Sequence, residues 1–306
     1  MMIEMISTPL NEPEVTVVVI NWQLPEKTVA CLHSLTELEM AHQTLVVDNG
    51  SGDDSVSRIR QDFPDVILIP LSENVGFGAA CNLAIQHALE NPACHYVLLL
   101  NNDAIVHPLT LTALVETAVS HPTAGIFGPK IYYSHQRQTF WYAGARCRRG
   151  VLAAADTGRG EVDWGQYDER HEVDFVFGAA MLIRREVFTR IGLFDERFFL
   201  YLEDMDFCLR ARHAGFTLRF VPQSHVWHHG SASTCNNGAF RKYHYARSTV
   251  LFLKKHASPL TWLPVLGFWV LVLLRAVMME LWQGNRAMVG SYWSGFLHGL
   301  TTLRHL

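Results

Sequence analysis

No Cys-x-x-Cys pair occurs among the six cysteines, Cys31, Cys81, Cys94, Cys147, Cys208 and Cys235, and a chain of 306 residues needs no disulfide framework. A reduced, cytosolic protein is the expectation. An excess of positive charge is missing too: the formal net charge is -4 and the pI near 6.5. There is no global basic field, so nucleic acid is not the expected partner and any anion site must be local. The first residues carry Glu4, Glu12 and Glu14 and lack both a basic start and an apolar stretch long enough for a signal peptide; residues 1–14 read as a short flexible leader. Long apolar runs are few: residues 257–274 form an uncharged stretch of 18 residues, borderline for a membrane span of about 20, and Pro259, Pro264, Gly267 and Arg275 make a full span the weaker reading.

What is present is a large apolar fraction, 49% of the chain, enough for one large core or a core plus a small appended unit. Apolar, strand-length runs recur at residues 15–20, 45–47, 66–69 and 96–100, separated by helix-like stretches at 26–38, 55–61, 77–89 and 109–120. Near-continuous apolar strands suit a parallel sheet covered on both faces. The alternation predicts an α/β fold with a doubly wound, mostly parallel sheet whose ligands sit beyond the carboxyl ends of the strands. Residues 132–174, rich in Gly, Arg, Asp and aromatics, read as long loops or short strands of the kind that set acceptor specificity. A strand over 175–184, a short helix over 185–191, a helix over 203–214 closed by Gly215, and a last strand over 217–221 ending at Pro222 follow. Residues 15–125 are expected to be a nucleotide-binding half, 126–255 an acceptor and catalytic half, and 256–306 an apolar or amphipathic helical tail. Trp262, Trp269, Trp282 and Trp293 in that tail suit a membrane interface. Packing on the protein itself or on a homodimer partner is the competing expectation.

The polar residues after each strand are the candidates for chemistry. Asp48, in Asp48-Asn49-Gly50-Ser51, follows the second strand, where a carboxylate accepts hydrogen bonds from ribose hydroxyls or a base imide. A plain Asx or Gly turn explains the same residues. Asn74-Val75-Gly76-Phe77-Gly78, with Asn82 one turn further, offers small residues and a helix start, which favour a close phosphate. Asp103, in Leu100-Asn101-Asn102-Asp103, stands where a hard cation on a diphosphate needs one or two carboxylates; capping of the next helix is the alternative. Glu203 and Asp204 are either helix N-terminal dipole partners or a general base with its neighbour. His225, His228 and His229, in a cluster running to Ser233, offer metal or phosphate ligands or a solvated loop. Tyr243, Tyr245, Arg247, Lys254 and Lys255 follow on a helical pattern, some in reach of phosphate and others lining a membrane-facing surface.

Taken in order, Val17 to Trp22, Val47 to Ser51, Glu73 to Gly78 with Asn82, Leu100 to Asp103, Phe177 to Arg185, Phe194-Asp195-Glu196 through Glu203-Asp204, and His228 to Ser231 resemble the family 2 glycosyltransferases of the GT-A fold. The bacterial branch with rhamnosyltransferases and related polysaccharide enzymes is the nearest in pattern, and the resemblance spans residues 15 to about 255. It implies that Asn21 and Asp48 contact the nucleoside and that Asn49, Asn74, Gly76, Phe77, Asn82 and Asn102 form or support the nucleotide pocket. It further implies that Asp103 and His228 hold a divalent cation, Mg²⁺ or Mn²⁺, and that Asp204 is the catalytic base with Glu203 beside it. Asn101 and Asn102 depart from it, since many relatives carry a carboxylate or proline there. The implied activity is inverting transfer of a sugar, rhamnose from dTDP-rhamnose or a sugar from a UDP donor, to a saccharide or lipid-linked saccharide at the inner face of the cell membrane. A catalytically silent nucleotide-sugar binding scaffold is the rival, weakened by retention of both Glu203-Asp204 and Asp103. A nucleotidyltransferase would favour a Gly-rich basic loop after the first strand, unlike Asn21-Trp22-Gln23-Leu24-Pro25.

Overall fold

The computed structural model describes residues 14–148, 152–169, 171–230, 238–258, 262–282 and 284–302. Residues 1–13 of the expected leader, Cys235, and the Ser231 to Ser233 end of the histidine cluster lie outside the described residues.

The first half alternates as its apolar runs predict. Strand β1 (Val15–Asn21), helix α1 (Pro25–Thr36), β2 (Gln43–Asp48), α2 (Ser55–Asp62), β3 (Ile67–Pro70), α3 (Phe77–Glu90) and β4 (Tyr96–Asn101) follow in turn. Every residue of β1 is buried, so its β-branched side chains pack on both faces of the sheet. Pro25 opens α1 at a position where no backbone donor is needed. β1 pairs in parallel with β2 and β4, and the register sets Asn21 opposite Asp48 and Ile20 opposite Asn101. The polar ends of three strands are thereby brought to one level.

The second half departs from a mostly parallel sheet. β5 (Ala104–Val106), α4 (Thr110–Ser120), β6 (Ala124–Tyr133), β7 (Gln136–Tyr142), β8 (Ala145–Arg148), β9 (Ala153–Asp156), β10 (His171–Val173), β11 (Ala180–Arg184), α5 (Arg185–Ile191), α6 (Glu203–His213) and β12 (Thr217–His228) complete it. Among the described residues the main sheet runs β10-β12-β6-β11-β4-β1-β2-β3, with β5 on β12 and β7 on β6; β8 and β9 form a separate hairpin. β11 lies antiparallel between β4 and β6, so the sheet is mixed.

Two predicted strand boundaries are corrected. Only Ala180–Arg184 of residues 175–184 is strand, because the backbone before it turns at Phe177, whose carbonyl accepts from the Ala180 N–H, and the Gly178 N–H is directed to α6. The last strand does not stop at Pro222 but continues to His228. A register shift between Val221 and His225 in its pairing with β6 accommodates the residue that lacks a donor. His225, Val226, Trp227 and His228 are therefore strand residues, not a loop.

Three helices follow, α7 (Gly238–His256), α8 (Trp262–Trp282) and α9 (Arg286–Thr301). α7 and α9 pack closely because glycines face the contact: a Cβ on Gly295 would lie 2.1 Å from the Tyr243 carbonyl oxygen. The end of α7 is tied to α6 by the fully buried Asp206, which accepts from His256 Nε2 at 2.7 Å and Arg210 Nε at 2.8 Å and pairs with Lys255 Nζ at 2.8 Å. No helix among the described residues is long and apolar enough to cross a membrane.

Candidate active site

A cleft of about 560 Å³ opens above the carboxyl ends of β1, β2 and β4. Its walls bring together Asn49, Asn74 and Phe77 from the loops after β2 and β3, Asn101 to Asp103 after β4, Glu203 and Asp204 at the head of α6, and His228 at the end of β12. These come from five separated stretches of sequence.

Asp204 is half-buried and aimed by backbone donors. The Gly178 N–H donates to its Oδ2 at 3.0 Å and the Met205 N–H to its Oδ1 at 2.8 Å. Burial pushes its carboxyl up to about 6, against the lowering effect of those bonds. Glu203 beside it is buried, with Oε2 unpartnered. Burial first, and then the neighbouring Asp204 charge, raise the Glu203 carboxyl well above its ordinary range. Both effects disfavour ionisation of Glu203, so Asp204, held by the backbone donors, is the better placed of the two to carry negative charge. The chain enters α6 under strain: Tyr201 at φ 70 and Leu202 at φ 67 are both left-handed, a conformation costing of the order of 1–3 kcal/mol per non-glycine residue. Neighbouring elements impose it, since Ser248 Oγ donates to the Leu200 carbonyl at 2.8 Å and the Phe77 N–H to the Phe199 carbonyl at 2.8 Å.

Asp103 sits between β4 and β5, well short of α4, so it does not cap that helix. Its Oδ1 lies 2.9 Å from His228 Nε2, and the Asn101 amide nitrogen is 3.2 Å from the same ring nitrogen. Both side chains are buried, His228 Nδ1 has no partner, and the ring stands edge-on to Trp141 at 4.8 Å between centroids. Among the described residues no group of three or more His, Cys, Asp or Glu converges. Asp103 and His228 would supply one carboxylate and one imidazole to a divalent cation, few enough to suit a cation that a bound diphosphate also holds. His225 and His229 turn elsewhere, His225 Nε2 to the Pro222 carbonyl at 3.0 Å and His229 to Lys27 and Ser134.

Behind the wall lies a buried polar layer. Asn21 donates to Asp48 Oδ1 at 2.5 Å and to Ser51 Oγ at 3.0 Å, and its own oxygen accepts from Thr28 at 2.5 Å and Asn102 at 3.1 Å. Asn49 donates to Asn74 Oδ1 and accepts from the Val75 N–H, locking the loop after β2 to the loop after β3. Gly50 (φ +68) is required at that junction, since a Cβ would stand 2.3 Å from the Glu73 carbonyl carbon. Gly76 (φ +94) meets the Phe199 backbone in the same way. Asn82 is buried under the cleft, and its amide exchanges bonds with the Phe194 N–H and C=O, both at 2.9 Å. Asn21, Asp48, Gly76 and Asn82 do not line the cleft; in this conformation they support its wall rather than form it.

Three cations of α7, Arg247, Lys254 and Lys255, are likewise structural here. Arg247 donates to the Arg197 carbonyl, Lys254 to the Leu300 carbonyl, and Lys255 pairs with Asp195 and Asp206. Sequence reasoning missed Trp141 and Asp156, which join the cleft from the irregular segment around β7 to β9, and Phe199 and Phe240, which close one side. Their only signal was an aromatic and acidic composition without fixed spacing.

The sequence model of the family described as "Glycosyltransferase like family 2" matches residues 13–245. The N-acetylglucosaminyl-diphospho-decaprenol L-rhamnosyltransferase of Mycobacterium tuberculosis is 31% identical over 262 residues, 78% of this chain and 83% of that protein. The dTDP-rhamnosyl transferase RfbF of Shigella flexneri is 25% identical over 235 residues, 74% of this chain and 76% of that protein. Among solved structures, a mannosyltransferase from Pyrobaculum calidifontis in complex with GDP-Man and Mn²⁺ superposes with a TM-score of 0.59 at 17% identity, covering 95% of this chain and 88% of that one. The fold is that of the GT-A glycosyltransferases, and the chain belongs to glycosyltransferase family 2 as an enzyme of the rhamnosyltransferase-like branch.

Proposed function

We propose that this enzyme transfers rhamnose from dTDP-rhamnose, with UDP sugars as the next donors to test, to a hydroxyl of a lipid-linked saccharide at the cytoplasmic face of a membrane, with inversion at the anomeric carbon. The observation that carries the reading is the placement of Asp204, a carboxylate fixed by two backbone N–H groups and facing the same cleft as Asp103 and His228. The donor follows the two rhamnosyltransferase relatives. The lipid-linked acceptor follows the Mycobacterium tuberculosis relative, named for a diphospho-decaprenol substrate. The membrane surface follows the exposed Leu271, Met278, Leu281 and Trp282 on α8.

In this mechanism Asn49 and Asn74 border the nucleotide side of the cleft, and the Asn21, Asp48 and Asn102 layer keeps that border rigid. Asp103 and His228 would hold a divalent cation, Mg²⁺ or Mn²⁺, which supplies positive charge to the diphosphate. Asp204 accepts the proton of the incoming hydroxyl at a carboxylate oxygen as that hydroxyl attacks from the face opposite the departing diphosphate. Burial raises the Asp204 carboxyl to about 6, so it is ionised and able to accept that proton above this pH. Phe177, Trp141 and Phe199 exclude water around the reacting atoms.

The test is release of nucleoside diphosphate from dTDP-rhamnose and a panel of UDP and GDP sugars, with a lipid-linked saccharide as acceptor, with Mn²⁺, Mg²⁺ or a chelator. Turnover of dTDP-rhamnose that the chelator abolishes is expected. Equal turnover with chelator overturns the cation assignment, and turnover of another donor alone overturns the rhamnose assignment.

A further inference from the structure

Four carboxyls line the cleft, and three of them, Asp103, Glu203 and Asp204, belong to the proposed cation site and base. The fourth is Asp156, at the end of β9 in the hairpin that lies off the main sheet. Its Oδ2 accepts from Arg159 Nε at 2.6 Å, and its Oδ1 has no hydrogen-bond partner among the described residues. The Arg159 guanidinium lies over the Trp141 ring at 4.5 Å and over the Phe177 ring at 5.7 Å, which fixes the carboxylate beside an aromatic wall. Trp141, Phe175 and Phe177 all contribute to that wall, and Trp141 and Phe177 meet edge to face at 4.9 Å. The hairpin does not depend on the ion pair. Backbone bonds close it, from the Thr157 N–H to the Gly144 carbonyl at 2.8 Å and from the Ala143 N–H to the Thr157 carbonyl at 3.1 Å, and an ion pair open to water adds little to them.

We propose that Asp156 and the wall of Trp141 and Phe177 form the subsite for the sugar ring of the acceptor, with Asp156 accepting hydrogen bonds from ring hydroxyls that do not react. The inference rests on the reading of the protein as a glycosyltransferase with a saccharide acceptor and adds which residues select that acceptor. A carboxylate repels a diphosphate, and no lysine or arginine among the described residues lines the cleft to offset it. The ligand of Asp156 must therefore bring hydrogen-bond donors, as sugar hydroxyls do. Asp156 is not a third cation ligand, since among the described residues no group of three such side chains converges. The aromatic faces beside it suit the apolar C–H face of a sugar ring, and one carboxylate in such a wall fixes the ring's orientation. Position assigns the acceptor rather than the donor. Phe177 precedes Gly178, whose N–H holds Asp204 Oδ2 at 3.0 Å, so the wall runs directly to the proposed base. The nucleotide side is bordered instead by Asn49 and Asn74, from the loops after β2 and β3. The hydroxyl that loses its proton must sit at Asp204, and the ring that carries it then lies along Phe177 and Trp141 with Asp156 at its edge.

The experiment uses the full-length protein, the sugar nucleotide that wild type turns over, and N-acetylglucosaminyl diphosphate on a two-isoprene lipid as acceptor, together with monodeoxy forms of its sugar. Removal of one non-reacting hydroxyl should lower the wild-type kcat/KM about tenfold or more, the effect of losing a hydrogen bond to a charged group. Asp156→Ala should raise the acceptor KM about tenfold or more, leave the donor Kd within about twofold, and no longer distinguish that deoxy acceptor from its parent. Asp156→Asn, which keeps the size of the side chain, should move the same readouts in the same direction. A purely structural role in the hairpin would lower the use of every acceptor alike and preserve the deoxy discrimination, and that result overturns the proposal. A weakened donor Kd with an unchanged acceptor KM places the donor sugar at Asp156 and overturns it as well. Wild-type hydrolysis of the donor with transfer to none of these acceptors overturns the acceptor reading beneath it, and the subsite falls with that reading.

Discussion

Replacing Glu203 by glutamine isolates the consequence of burying a second carboxyl next to the proposed base. Glu203 is 5% exposed, one of its oxygens is unpartnered, and its carboxyl is held well above the ordinary value of 4.5. In the unfolded chain it ionises near that ordinary value. The folded state then binds more protons than the unfolded state, and stability falls as pH rises above the unfolded value. Each pH unit in that window costs about 1.4 kcal/mol while the folded carboxyl keeps its proton. Glu203→Gln cannot ionise, so the variant should gain on wild type by up to about that much per pH unit above the unfolded value, whatever constant offset the amide introduces. Urea unfolding of both proteins at several pH values, followed by tryptophan fluorescence, reads the difference directly. Parallel stability curves would show that Glu203 is ionised in the native state and would refute the division of roles between Glu203 and Asp204.

Other predictions follow from the same geometry. Because Asp204 must be ionised to accept a proton and its carboxyl is raised to about 6, kcat/KM should fall on the acid side with a midpoint near pH 6 and level off above it; a midpoint near the usual aspartate range refutes the burial argument. Asn82→Ala leaves the Phe194 N–H and C=O without partners, and should cost about 1–3 kcal/mol in denaturant unfolding with donor affinity changed less than about threefold. Asp206→Asn breaks the tie between α6 and α7; burial would raise this carboxyl, but bonds from His256, Lys255 and Arg210 outweigh that and lower it, so its loss should cost about 3 kcal/mol or more at neutral pH. That stabilisation is present above the ordinary aspartate value and is lost as pH falls below it.

Much of this was legible because parallel strands announce themselves. Val15 to Ile20 and Tyr96 to Leu100 are buried on both faces, so their apolar runs are unbroken, and the polar residues that follow mark the sheet's ligand edge. The second half hid itself for physical reasons. β6 contains Gly125, Gly128 and Pro129, residue types that are poor strand formers, and it was not assigned from sequence, yet Gly125 and Gly128 leave room for Val187 and Val176 against the sheet. β12 passes through Pro222 by a register shift that no local pattern reveals, which is why His228 read as a loop residue. The pairing of Asp103 with His228 depends on β12 returning beside β5, a contact between residues 125 positions apart. Asp156 and Trp141 reach the cleft only through the β7 to β9 hairpins. The raised carboxyl of Glu203 was beyond sequence, because spacing shows two adjacent carboxyls but not how deeply each is buried.

In the proposed mechanism Asp204 takes the acceptor proton while donor binding is the work of other residues. Donor affinity and single-turnover transfer, measured on Asp204→Asn with dTDP-rhamnose, test it most directly. A donor Kd within about twofold of wild type and a transfer rate lower by roughly 10²–10⁴ are expected. Transfer at the wild-type rate, or a donor Kd weakened in proportion to the lost rate, would contradict it.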